Sequence, residues 1–403
     1  LRTSKSDITL PNLFSRYVIA VLLLLIFSKT CANKFNQLST NDGLPNTNIK
    51  AIVQDQQGVV WIGTLMSMVK YNGYDIEPVL KKDGNHIEGV NSLKLDEESQ
   101  VMWIGSFKEG VYVFNHGVIN KFESEYIGSD SKFQTIEKQG GHIWLLYNDR
   151  ILKIKSQQVL ESLPVKIDES VDSLVAHKND SLLISTQKKV YQFHTETKEL
   201  TEIVVQSEQT SRRLQVLHAD EQGNLWLGRS DGMYRYDAGC GCFSQVSGLL
   251  NGIEVYSIES DSSDLWVGTA RDGLFRYNYN SQNVHQFTHN SQISGGLSDN
   301  TVFTVYLAKD GMLWVGTFNG GVNFIHLNVL DFGLMSSKQP ILKCSESDLV
   351  FAIYEQSDES IWLGTAAGMV NFNPNTIGCH QYKHDPSDSK SLSGKYVYAF
   401  IEN

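Results

Sequence analysis

All seven tryptophans of this 403-residue chain sit in one recurring phrase, spaced so regularly that few folds can accommodate them. Trp61, Trp103, Trp226, Trp266, Trp314 and Trp362 each open a Trp-(Ile/Leu/Val)-Gly triplet, and Trp144 opens the variant Trp144-Leu145-Leu146. The steps are 42, 41, 82, 40, 48 and 48 residues. The double step hides a degenerate copy, Leu183-Ile184-Ser185-Thr186, which stands where Trp-Ile-Gly-Thr is due. A period of this size is the mark of a repeat architecture.

The first copy shows the unit. Ile49 to Gln54 is a mostly apolar run, Asp55-Gln56-Gln57-Gly58 is a polar turn ending in a residue that tolerates positive φ, and Val59 to Thr64 is a second apolar run. A third run ends in an aromatic residue, as in Gly232-Met233-Tyr234-Arg235-Tyr236, and a fourth carries an isolated Phe or Tyr such as Phe122, Phe243, Phe287 or Tyr382. Four short strands per ~42 residues predict an all-β chain built of β-propeller blades. Alternation along the second strand puts Trp61 and Gly63 on one face, so the tryptophans read as packing between blades and not as ligand platforms.

Trp61, Trp103, Trp144, Leu183, Trp226, Trp266 and Trp314 then mark seven four-stranded blades over about residues 33–330. The run Lys34 to Leu38 resembles the fourth strands of later repeats and is expected to complete the seventh blade, closing the ring and covering its edge. Residues 331–403, with the copy at Trp362 and the start of another at Ser391 to Ile401, read as the opening of a second, truncated propeller. A single eight-bladed ring is the alternative. The start at Leu1 and the interrupted last repeat suggest a fragment of a longer protein.

Lys5 and Arg16 precede eleven almost wholly apolar residues, Tyr17 to Phe27, and Thr30 and Ala32 follow. This describes a signal peptide over residues 1–32 and an exported chain, with a retained anchor or a lipid-modified Cys31 as alternatives. A net charge of −11 without a basic face excludes nucleic acid as an expected partner. Cys240-Gly241-Cys242 lacks the partners of a metal site, so thiols or a disulfide are expected there, and Cys344 and Cys379 could bridge in an oxidising compartment. No catalytic, metal or cofactor motif was found, and the recurring turn acids, Asp55 and Asp220 among them, read as turn residues. On the rim where ligands of propellers are expected, Arg212, Arg213, Arg229 and Arg271 fall in loops of adjacent blades. Four guanidinium groups converging there would suit carboxylates or sulfates, although pairing of Arg229 with Asp231 or of Arg271 with Asp272 is the commoner fate of such residues.

Asn41-Asp42-Gly43-Leu44-Pro45-Asn46-Thr47-Asn48, followed by Ile52 to Thr64 and Val69-Lys70-Tyr71-Asn72-Gly73-Tyr74, resembles the opening repeat of the two-component regulator propeller family. Gly296 to Val302 and Asp310 to Thr317 resemble it again, whereas the third and fourth repeats depart by losing first the Gly and then the Trp. The resemblance implies the periplasmic sensor region of an inner-membrane signalling protein that carries two seven-bladed propellers and is dimeric in its full length. The implied ligand is an oligosaccharide, another small ligand or a protein partner, and the implied output is a phosphorelay histidine kinase or a diguanylate cyclase. A secreted propeller enzyme, a glycan lyase or glycosidase, is the reading from another class.

Overall fold

Strand pairing follows the repeat. The computed structural model describes residues 35–401 apart from 129–130, 140, 166, 168, 178–180, 208–215, 291–294, 331–342, 348, 359 and 374–378. The expected signal segment, with Cys31, lies outside the described residues. Among the described residues no helix is long and apolar enough to cross a membrane. The chain divides into two compact units, Ala32–Asp331 and Phe332–Asn403.

In the larger unit the described strands form five four-stranded antiparallel sheets and one eight-stranded sheet that is two blades joined at their outer edges, seven blades in all. Their inner strands are Ile49–Gln54, Val90–Asp96, Phe133–Gln139, Val171–His177, Val216–Ala219, Val255–Ser260 and Val302–Leu307, numbered here as blades 1 to 7. Each inner strand contacts the next, and that of blade 7 contacts that of blade 1, so the seven close a ring around a central channel. The join is made by the N-terminus. Asn36–Leu38 pairs antiparallel with Val322–Phe324 as the fourth strand of blade 7, Phe35 donates its N–H to the Gly295 carbonyl at 2.8 Å, and Phe35 and Leu38 are buried.

The triplets explain how the blades stack. Trp61 of blade 1 is buried among Val90, Leu93, Met102 and Ile104 of blade 2, and Trp314 of blade 7 among Ile49, Ile52, Ile62 and Val69 of blade 1. The glycine two residues on leaves room for the first residue of the next inner strand. A Cβ on Gly63 would come within 2.7 Å of Val90 Cγ1, and one on Gly228 within 2.4 Å of Val255 Cγ1. Such distances are far inside carbon contact, so the bare backbone is what allows adjacent sheets to meet. Where the glycine is lost, in blades 3 and 4, Leu146 and Ser185 hold the position and are fully buried.

The acids of the first turns do more than turn the chain. Asp55 accepts the indole N–H of Trp61 at 2.9 Å, and Asp220 accepts that of Trp226 at 2.8 Å, six residues on in each case. Asp220 is itself buried and also accepts the backbone and side-chain N–H groups of Asn224, at 2.7 and 2.9 Å, and the Tyr279 hydroxyl at 3.3 Å. Burial alone would raise its pKa, but these donors outweigh burial and lower it. The reading of Asp220 as a turn residue only is therefore corrected: the carboxylate ties a turn to the core of blades 5 and 6. Asp220→Asn, which turns an NH2 toward N–H donors, is expected to cost about 2 kcal/mol in chemical denaturation, the scale of a lost charged hydrogen bond; a cost near zero would restore the turn-only reading.

The smaller unit holds one four-stranded sheet, Val350–Glu355, Ile361–Thr365, Gly368–Phe372 and Cys379–Tyr382. Trp362 is half-buried here, donating to Gln356 Oε1 at 3.0 Å and stacking on Tyr382. Val397 donates its N–H to the Thr365 carbonyl and lies over Gly364, as the first residue of an inner strand does in the larger unit, although residues 395–401 form no strand. Both cysteine pairs are disulfides, Cys240–Cys242 and Cys344–Cys379. The second closes a separation of 35 residues around this small sheet and removes chain entropy worth roughly 3–4 kcal/mol.

Candidate binding site at the channel mouth

One irregularity repeats in six blades. The pairing of each inner strand with its neighbour slips after the first residue, between Ile49 and Ala51, Val90 and Ser92, Phe133 and Thr135, Val171 and Ser173, Val255 and Ser257, and Val302 and Thr304. A bulge re-aims the extra side chain. The extra residues are Lys50, Asn91, Gln134, Asp172, Tyr256 and Phe303, while the equivalent residue of blade 5 falls in 208–215. Chemical class changes from blade to blade at this one position, whereas the residue before it is always apolar and the residue after it always small. These residues occupy the end of the channel where inner strands begin and second strands finish, the rim on which loops between strands two and three emerge.

Three of the side chains meet across blades 1, 6 and 7. Lys50 Nζ stands 3.3 Å from the centroid of the Phe303 ring, Tyr256 stacks on Phe303 at 5.3 Å, and Phe318, from the rim loop of blade 7, meets Phe303 edge-on at 5.4 Å. Burial pushes the Lys50 ammonium down to about 8, and no carboxylate lies within ion-pairing distance of it among the described residues. The exposed rim continues apolar through blades 1 and 2, with Leu65, Met66 and Phe107.

Deeper in the channel the next inward layer is polar and charged. Lys94 of blade 2 pairs with Glu137 of blade 3 at 2.8 Å, and Lys138 of blade 3 with Asp96 of blade 2 at 3.5 Å. His218 of blade 5 meets Ser260 Oγ of blade 6 at 2.7 Å. Glu259 of blade 6 interacts with Lys94 and Glu137, which belong to non-adjacent blades, and so lies across the axis from them. Lys94 keeps 38% side-chain exposure although protein surrounds it, which means that water reaches this depth. Burial pulls its pKa down, but the attraction and hydrogen bond of Glu137, together with Glu259, outweigh burial and raise it, so it stays charged.

Glu259 is the responsive member of the layer. Burial lifts its carboxyl to about 7, opposed by the Ser260 N–H and Lys94 and reinforced by Glu137; burial takes His218 the other way, to about 4. A carboxyl raised in the fold stabilises it fully below its ordinary pKa, and that contribution is lost as pH rises through about 7. Glu259→Gln is therefore expected to be more stable than the unsubstituted chain at pH 8, by roughly 1–3 kcal/mol, and equal to it near pH 4. Thermal midpoints at the two pH values measure this; a variant less stable at pH 8 would show that the charged carboxylate is needed by Lys94.

Of the four arginines expected on the rim, two lie among the described residues. Arg229 is buried, 3.3 Å from Asp231 in an ion pair and with its guanidinium 5.1 Å from the Tyr234 ring, so its charge is committed inside blade 5. Arg271 is exposed on the rim loop of blade 6, and Arg212 and Arg213 lie outside the described residues. Elsewhere on the rim, a cavity of about 450 Å³ between blades 1 and 2 is lined by Pro45, Met66, Lys81, His86, Glu88 and Glu109. Its charges are consumed by the Lys81–Glu109 and Lys108–Glu88 pairs. Among the described residues no cluster of His, Cys, Asp and Glu could hold a metal ion.

A seven-bladed propeller in which six blades each present a different side chain at one end of the channel defines a class of ring-shaped scaffold. Within that class, residues 43–65 and 296–319 match the family profile of the two component regulator propeller. No curated protein matches the chain in sequence. Among solved structures, the extracellular domain of the BT3049 hybrid two component system of B. thetaiotaomicron is similar at TM-score 0.67 and 19% identity, over 91% of this chain and 50% of that one. The extracellular domain of BT4673 from the same organism is similar at TM-score 0.61 and 17% identity, over 92% and 50%. A catalytically inactive virginiamycin B lyase from Staphylococcus aureus has the fold at TM-score 0.57 and 14% identity, over 73% and 98%. The chain thus spans about half the length of the two extracellular domains.

Proposed function

We propose that this chain is the extracytoplasmic sensing region of a bacterial signal-transduction protein. In this reading a ligand, an oligosaccharide or a protein partner, is taken up by the propellers, and the change is passed through the membrane to an output domain outside these 403 residues. The observation that carries it is the two component regulator propeller repeat, matched at both ends of the closed ring in residues 43–65 and 296–319. The fold shared with extracellular domains of two component systems supports it. So does the small sheet of Phe332–Asn403, whose inner strand exposes Val350, Phe351 and Ile353 as an opening blade of a second propeller would.

The test is made on the whole reading frame. Expressed in membranes and supplied with labelled ATP or GTP, the protein should either phosphorylate itself on a histidine or form cyclic diguanylate, and candidate oligosaccharides should alter the rate. Neither product, together with turnover of a glycan by the purified chain itself, would transfer the assignment to a secreted propeller enzyme.

A further inference from the structure

Among the described residues, the lysines along the inner strands and lower turns of the channel are compensated, with one exception. Lys94 has Glu137, Lys138 has Asp96, and Lys309 has Glu97. Lys50 has the face of Phe303 and no carboxylate among the described residues. It is half-buried at the mouth of a chain whose formal charge is −11. Removing an ammonium from water without an anion is costly, and an aromatic face returns only part of the loss. In the next blade the equivalent bulged residue, Asn91, has a buried side-chain oxygen without a hydrogen-bond partner. Asn and Gln side chains carry both donors and acceptors, so Asn91 and Gln134 add amide groups to the same tier. The tier also holds an acid, Asp172 of blade 4, three blades from Lys50; Asp172 is engaged with a neighbour of its own.

We propose that the channel mouth binds a carboxylate-bearing ring compound, with the carboxylate on Lys50 and the ring against Tyr256 and Phe318 beside Phe303. The proposal rests on the sensing role above for its biological sense, but its chemistry belongs to the mouth alone. A carboxylate on Lys50 supplies the missing counter-charge, while the apolar faces already assembled from blades 6 and 7 accept the ring body. Ring acids come from two sources, sugar acids and aromatic acids. The bulged ring position makes the ligand one chosen by several blades at once, which the paired charges of the cavity between blades 1 and 2 do not allow.

Calorimetric titration of the chain with glucuronate, benzoate and uncharged glucose at millimolar concentrations tests the proposal and separates the sources. At least one of the two acids is expected to bind, and glucose is not. Lys50→Met should weaken the acid roughly tenfold or more, the scale of a charge-assisted hydrogen bond, and Lys50→Arg should restore most of it. Affinity should also fall as pH rises through about 8, where Lys50 loses its proton. Thermal midpoints of both variants establish that they fold. Failure of both acids to bind, or equal affinity in Lys50→Met, would overturn the proposal. Binding of glucose as tightly as of glucuronate would also overturn it, while leaving the sensing role intact; loss of that role is read separately, from the output assay on the full reading frame.

Discussion

A chain that starts at residue 45 instead of residue 32 should lose about 10 °C or more in thermal midpoint, although only a few residues of strand are removed. Phe35 and Leu38 are buried against Phe287, Leu297 and the blade 7 to blade 1 core, and each apolar side chain of this size stabilises by about 1.5–3 kcal/mol when buried. Their loss comes with the three-residue pairing to Val322–Phe324, whose outer edge would then be bare. In a domain of this size each kcal/mol moves the midpoint by about 2–4 °C. Scanning calorimetry on the two chains measures the difference, and coincident transitions would mean that the ring is held by the inner strands alone.

Trp266→Ala should cost about 3–5 kcal/mol, the range for truncating a buried aromatic residue. Its indole is fully buried, stacks on Phe287 in its own blade and packs with Val302, Leu313 and Val315 of blade 7, so the cavity would open at a joint between sheets. Trp362→Ala is the internal contrast. That ring is only half-buried and belongs to the smaller unit, so its loss should leave the main unfolding transition unmoved. Urea titration followed by the fluorescence of the remaining tryptophans reads both, and equal costs for the two would refute the assignment of Trp266 to a blade joint.

The ring was legible because its determinants are local and repeated. A large apolar residue, a missing side chain two positions later and a turn six positions earlier occur in one stretch of chain, and even the degenerate Leu183 copy is betrayed by its spacing. The indole bond of Asp220 was legible in part: the six-residue interval to Trp226 can be seen, but nothing in it says that the acid turns inward. The channel mouth was hidden. Lys50 is separated from Tyr256 and Phe303 by about half of the chain or more, and what brings them together is a register slip that depends on pairing between strands. One of the arginines differs from expectation for the converse reason. Arg229 looked like a rim residue by loop position, whereas Asp231, two residues away, and the Tyr234 ring draw it inward.

The outer strand of blade 4, Leu200–Gln206, runs parallel to that of blade 5, Cys242–Gln245, with Val204 beside Cys242 and Gln206 beside Ser244. Blade 4 is the one that lost both Trp and Gly, and this seam binds it to a neighbour that kept them. Amide groups that would elsewhere face solvent at a blade edge are here shared between two sheets. In hydrogen exchange, blades 4 and 5 are accordingly expected to open as one unit, with the slow breathing of the ring left to the joints between its other blades.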